Sequence, residues 1–279
     1  MSTHSTTQLW KRIESHLDRR LPDWRSRIQH FGQVDAIKNR NSGKRWADDE
    51  IQEGLVRAVL SSNTDWAKIE GVLPELNGLF GNFSLSFYAQ LTTEEIDRIF
   101  VPWFKSRKAA SMTLGKDLKN LIKTSQKLKR WSESNGSAEH YFTDLYRKCS
   151  NDAKRVALKI GLPESEYKLP ALGVPIAAET LRNIGFDLAK PDRHILRAAG
   201  SFGLVQFSNW KDTSSKNPPI ANPAELLATM TAFESLADAQ GLLTAFVDNA
   251  VWLLCAKSGL RFSNSDLNAL NNAREMPNQ

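Results

Sequence analysis

Leu169-Pro-Ala-Leu-Gly-Val-Pro175, followed by Lys190-Pro-Asp-Arg-His-Ile-Leu-Arg197, is the part of the chain that decides how the rest is read. The first stretch reads as the end of one helix, a tight turn built on Pro and Gly, and a new helix opening at Val174-Pro175. Proline's fixed φ is preorganised for a first helical turn. The second stretch puts one carboxylate, Asp192, at the opening turn of the next helix. A helix N-terminus leaves backbone amides unpaired, and with the helix dipole these favour an anion such as phosphate. Leu172, Gly173, Val174, Pro175 and Ile176 therefore form a candidate phosphate grip, one helix away from a single candidate acid. Taken alone, the turn is equally an ordinary helix–turn–helix connection, and Asp192 equally an N-cap.

Working outward, the apolar spacing is helical almost throughout. Asp48 or Asp49 can cap a helix whose apolar face is Ile51, Leu55, Val56, Val59 and Leu60. Thr92-Thr-Glu-Glu95 has capping-box spacing, and Pro102 is expected to limit the helix that follows. The pattern resumes from Ala109 to Ile122 with Met112, Leu114, Leu118 and Leu121 on the apolar side. Ser132 to Ser137 reads as a loop, with helices around Tyr141–Cys149 and Ala153–Ile160. Helices are expected over Val174–Ile184, ended by Gly185, and from Pro191 to about Gly200. Lys211 to Pro223 is the longest loop candidate. Asn222-Pro223 opens another helix, and an apolar helix from about Leu242 to Ser258 is closed by Gly259. No run alternates cleanly, so the fold class is all-α.

Lys and Arg number 37 against 31 Asp and Glu, a net charge of +6, and the excess is clustered. Between Lys105 and Arg130 stand nine basic residues opposed only by Asp117; residues 1–45 carry ten against four acids. Such clusters suit a polyanion, although each is also what a solvated helix face looks like. The two cysteines, Cys149 and Cys255, are too few for a disulfide framework, a zinc site or a four-thiolate cluster, so no metal is expected. Cys255 lies in an apolar run and reads as core. No signal core or membrane-length apolar run is present, which leads us to expect a cytoplasmic (nucleoid-associated) or otherwise intracellular protein with no membrane partner.

The hairpin followed by Pro191-Asp192-Arg193-His194 resembles the helix-hairpin-helix and Gly/Pro-Asp region of the endonuclease III-like (HhH-GPD) superfamily of DNA glycosylases. Asp192 falls seventeen positions after Pro175, close to the spacing of the catalytic Asp in that family. Three other stretches, in the family's order, are similar to its segments. Glu53-Gly-Leu-Val-Arg-Ala-Val-Leu-Ser-Ser-Asn-Thr-Asp-Trp66 resembles its early helix and Trp103-Phe-Lys-Ser-Arg-Lys-Ala109 its Gly-aromatic-x-x-Lys-Ala segment. Val247-Asp-Asn-Ala-Val-Trp-Leu-Leu-Cys255 resembles its last core helix, without the cysteine cluster of the iron–sulfur branch. The resemblance spans about residues 47–260.

The resemblance implies a two-lobed fold with duplex DNA held in a cleft between helical subdomains. It divides the chain into a basic segment 1–45 packing with the C-terminal lobe, a subdomain 46–186 ending in the hairpin, and a subdomain 187–279 carrying the acid. Asp192 would be catalytic, stabilising an oxocarbenium-like sugar and orienting or deprotonating water. His194 and Arg197 follow on that helix, His194 reading as a buried, hydrogen-bonded structural residue behind the acid rather than a catalyst, and Arg193 would contact DNA. The position of the family's Schiff-base lysine is held here by Pro175, which has no amine, so lyase activity is not expected. That implies a monofunctional glycosylase, like those acting on 3-methyladenine, leaving an abasic site for downstream processing enzymes.

A flipped base needs a wedge and a pocket. Asn63 aligns with the family's wedge and is equally a helix C-cap; Trp66 and Trp103, then Phe104 and Trp46, are the candidate pocket residues, able to stack on an electron-poor alkylated base. The family's hairpin also holds a monovalent cation on its carbonyls, and Ala171 stands where the family's first hairpin Gly would be; no other cofactor is implied. Two other readings stay open: a glycosylase for a mismatched, deaminated or hypermodified base, and a DNA-binding module without chemistry.

Overall fold

The computed structural model describes residues 3–62, 64, 66–210 and 218–272. Among these the regular structure is helical and no strand occurs. In chain order the helices begin with α1 (Thr3–Arg20), α2 (Trp24–His30), α3 (Gln33–Asn41), α4 (Asp48–Leu60), α5 (Trp66–Glu70) and α6 (Leu73–Leu79). Next come α7 (Leu85–Gln90), α8 (Thr93–Glu95), a π-helical turn at Ile96–Phe100, α9 (Val101–Ser106), α10 (Leu114–Asn135) and α11 (Glu139–Lys148). The last six are α12 (Ala153–Gly161), α13 (Val174–Asn183), α14 (Arg193–Ser201), α15 (Pro223–Asp238), α16 (Thr244–Cys255) and α17 (Asn264–Asn272). The chain divides into two compact units, one of residues 36–186 and one of residues 1–35 with 187–279.

In the 36–186 unit, α4 buries the face expected of it, Ile51, Leu55, Val56, Val59 and Leu60, against α10 and α13. Gly54 lets α13 close in, because a Cβ there would stand 3.0 Å from Ile184 Cγ2. Neither Asp48 nor Asp49 caps α4, contrary to expectation. Asp48 takes the Ala138 amide (2.7 Å) and the Ser132 hydroxyl (2.5 Å), Asp49 takes the Leu85 amide (3.2 Å), and Glu50 instead receives the N–H of Ala47 (2.9 Å). Asp48 and Asp49 thus brace α10 and the starts of α11 and α7. Thr92 and Glu95 do form a reciprocal capping box, at 3.2 and 2.8 Å.

In this unit two helix limits differ from those expected. Pro102 does not stop its helix: helical backbone runs from Thr93 to Ser106, and the turn before the proline widens to π, with the Val101 amide on the Ile96 carbonyl. The helix expected from Ala109 starts at Leu114 and runs through the expected loop to Asn135, ending where Gly136 turns left-handed at φ +87. Met112 is therefore off the helix and wholly exposed.

In the other unit α16 is buried on nearly every side, as a helix without a polar face must be. The helices α1, α2, α14 and α15 pack on it, and Trp10, Trp24 and Phe246 meet with ring centroids 5.5–6.4 Å apart. Asn222 caps α15 by accepting the Glu225 amide at 3.0 Å. The helix expected to reach Ser258 ends at Cys255 with Ala256 as its C-cap, so Gly259 does not cap it; a Cβ on Gly259 would lie 1.8 Å from the Leu253 carbonyl oxygen. No described helix is long and apolar enough to cross a membrane.

Candidate active site

The hairpin lies wholly in the 36–186 unit. Its helices α12 and α13 touch backbone to backbone, and a Cβ on Gly161 would stand 2.6 Å from Val174 Cα and 2.7 Å from Val174 N. The connection, Leu162 to Gly173, is longer than a tight turn, and its tight part is Leu169–Leu172, closed by the Leu172 amide on the Leu169 carbonyl (3.2 Å). The left-handed residue is Ala171, at φ +69, and not Gly173, whose φ of −73 any residue adopts. Gly173 matters differently. As the residue before α13 it has no side chain to cap the helix, so the amides of Val174 and Ile176 are left without a partner among the described residues. Leu172 and Val174 bury their side chains, and Gly173 is exposed. What this turn can offer a ligand is backbone.

Its carbonyls are engaged. The Lys168 ammonium donates to the Gly161 carbonyl (2.6 Å) and to that of Leu172, and burial pushes its pKa down despite Glu164 nearby. The Pro170 carbonyl accepts the Thr124 hydroxyl (2.5 Å), and that of Tyr167 the Tyr141 hydroxyl (2.5 Å). Lys127 Nζ reaches the carbonyls of Glu166 and Lys168, both at 3.2 Å. A monovalent cation on hairpin carbonyls does not fit this donor set, because a tethered ammonium stands on two of them. Among the described residues no group of three or more His, Cys, Asp or Glu is placed to hold a metal ion.

Asp192 belongs to the other unit and is the N-cap of α14. Its Oδ1 accepts the amides of His194 (2.8 Å) and Ile195 (3.2 Å), while Oδ2 has no partner among the described residues and the residue is half-buried. The segment leading to it is held on α16. Asp187 accepts the amides of Thr244 and Ala245 (2.9 and 2.8 Å), and the buried Asp248 accepts the amide of Lys190 (2.8 Å). The result is a carboxylate with one oxygen fixed by two N–H groups and the other uncommitted. Such a group can stabilise positive charge or orient a water.

His194, on the next position but one, packs edge-on to Trp252 (centroids 6.3 Å apart), and Trp252 in turn meets Phe31 at 5.9 Å. Its Nδ1 is buried without a partner, and Arg193 Nε lies 3.5 Å from Nε2. Burial lowers the imidazole pKa, against the opposing pull of the Asp192 carboxylate. Arg193 is exposed. Arg197 ties α14 to the Phe262 carbonyl at 2.6 Å. Cys255 is fully buried, which pushes its thiol up to about 12.

The aromatic candidates all sit in the 36–186 unit. Phe104 is fully buried, its ring against Phe80 and Trp103, and presents no face to a ligand. Trp103 is half-buried under the Arg107 guanidinium, 3.9 Å from its ring centroid, and Trp46 is half-buried under the Lys44 ammonium at 4.3 Å. Trp66 opens α5, half-buried, and like Trp46 keeps its indole N–H buried without a partner. Asn63 lies outside the described residues. Three contributors had no sequence signal of their own: Lys168, Gly161 and Asp248. A lysine in a loop, a glycine closing a helix and an acid inside an apolar run acquire their roles only through what folds against them.

Comparison of the chain with protein-family models, with curated proteins and with solved structures found no match.

Proposed function

We propose that this chain is a monofunctional DNA N-glycosylase that hydrolyses the bond between a flipped, damaged base and its sugar, with an alkylated purine as the favoured target. The observation that carries the reading is the half-committed carboxylate of Asp192: Oδ1 held by two amides, Oδ2 open. An alkylated purine already carries positive charge, so its glycosidic bond needs electrostatic help at the sugar more than a strong general acid. The uncapped amides of Val174 and Ile176 would bind one phosphate of the duplex through backbone alone, which suits an enzyme that must search any sequence. With Pro175 where an attacking lysine would stand, water is the expected nucleophile and an abasic site the product.

The test is base release from duplexes carrying alkylated, deaminated, mismatched or hypermodified bases, run with the natural chain and with Asp192→Asn. Release of alkylated purines by the natural chain, lost in the variant and without borohydride-trappable protein, supports the reading. Release of another base class moves the substrate and keeps the chemistry. One observation favours a second reading: a carboxylate that caps its own helix already has a structural role. If the natural chain binds duplex DNA yet releases no base, the protein is a DNA-binding module.

A further inference from the structure

We propose that the turn between α9 and α10 is a second DNA contact, in which Met112 enters the base stack while Lys105, Lys108 and Lys116 hold the flanking phosphates; this rests on the DNA-binding reading above. Met112 is 104% exposed, so its side chain contributes nothing to the fold's core. The turn carrying it is nonetheless anchored at both ends: Phe104 and Ala109 are fully buried, Leu114 nearly so, and the Ala109 amide bonds the Phe104 carbonyl at 2.9 Å. Lys108 holds a left-handed φ of +56 within it. An apolar tip is thus presented from a fixed base.

Charge identifies what the tip meets. From Lys105 to Lys116 there is no acidic residue. Arg107 is committed to Glu75 (2.6 Å) and Trp103, and further on Lys119 is committed to Asp97 (2.7 Å). The ammonium groups of Lys105, Lys108 and Lys116 make no ion pair or hydrogen bond among the described residues, and all three are exposed. An apolar side chain flanked by free cations matches the chemistry of proteins that wedge between base steps while gripping the backbone. The same unit carries the hairpin, tied to α10 by the Thr124 hydroxyl on the Pro170 carbonyl. Ten residues of helix at about 1.5 Å each set the turn about 15 Å along α10 from that tie, within the span of one bound duplex.

The experiment uses the full chain and a short duplex with an uncleavable abasic analogue and 2-aminopurine at successive neighbouring steps. The natural chain should raise the fluorescence several-fold at saturation, Met112→Ala should hold it near the free-duplex level, and Met112→Leu should restore it. Replacing Lys105, Lys108 and Lys116 by Gln should reduce the slope of log affinity against log salt by about 2.7, at about 0.9 per phosphate contact. Lys129→Gln, whose cation already faces Glu133, should leave the slope almost unchanged, and unaltered melting of every variant excludes misfolding. A full fluorescence rise with Met112→Ala, or its loss only with Asn63→Ala, overturns the wedge while DNA binding stands. A natural chain without salt-dependent duplex binding overturns both.

Discussion

Gly161 and Val174 meet with no side chain between them, because any Cβ on Gly161 would fall 2.6 Å from the Val174 α-carbon. This contact fixes where α13 begins and hence where its unpaired amides are presented. Gly161→Ala must force the two helices apart. We expect a loss of about 1–3 kcal/mol, the usual cost of overpacking, read as a lower melting temperature. Phosphate-dependent DNA affinity should fall with it. A variant that melts like the natural chain would show that the hairpin is looser than its backbone contact implies.

Ala171 gives the opposite sign. Its φ of +69 is strained for any residue with a Cβ, and Ala171→Gly relieves that strain while adding freedom to the unfolded chain. The net expectation is a gain of about 0.5–1 kcal/mol, measured by denaturant midpoint. A glycine variant less stable than the natural chain would mean the turn is set by its neighbours and not by this dihedral.

Asp192 separates cap from catalyst. Asparagine caps a helix about as well as aspartate, so Asp192→Asn should leave melting within a few tenths of a kcal/mol, whereas Asp192→Ala should cost about 1 kcal/mol. Base release should fall by about 10²-fold or more in both, because both remove the charge. Activity that survives Asn and fails only with Ala would make Asp192 purely structural.

His194 predicts a pH dependence with a definite sign. Burial sets its folded pKa below the ordinary 6.5, although Asp192 pulls upward; Arg193, Arg197 and Lys190 add to the lowering. The unfolded chain therefore takes up the proton first as pH falls. Stability contributed by the neutral ring is complete above about 6.5 and declines below it, until the folded ring also titrates. The slope is at most about 1.4 kcal/mol per pH unit for one proton. Urea melts of the natural chain and of His194→Gln between pH 7.5 and 5 (roughly the window in which stability is usually greatest) should diverge in slope just below 6.5. Parallel curves would remove the histidine from the account.

How much of this was legible in sequence depends on the range of the interaction. Helices held by their own apolar spacing, such as α4, α12 and α13, and caps made within four residues, such as Thr92–Glu95 and Asn222–Glu225, can be read directly from the chain. Asp48 shows the limit, because its partners Ser132 and Ala138 lie more than eighty residues away and outcompete its own helix. The same holds for the candidate site. Asp192 and the turn at Gly173 stand in a local pattern, whereas the ammonium on the hairpin carbonyls and the acid under the Lys190 amide arise from packing. The tryptophans were the least legible, since composition does not tell which rings are already covered by an arginine or a lysine.

Lys168 has one more consequence. A cation joined covalently to the chain cannot be diluted, exchanged or chelated away, so the spacing between the end of α12 and the start of α13 is independent of which alkali ion the surrounding medium happens to supply. Its charge travels with the polypeptide, and is lost only by deprotonation, which burial eases, or by chemistry on the amine itself, such as acylation.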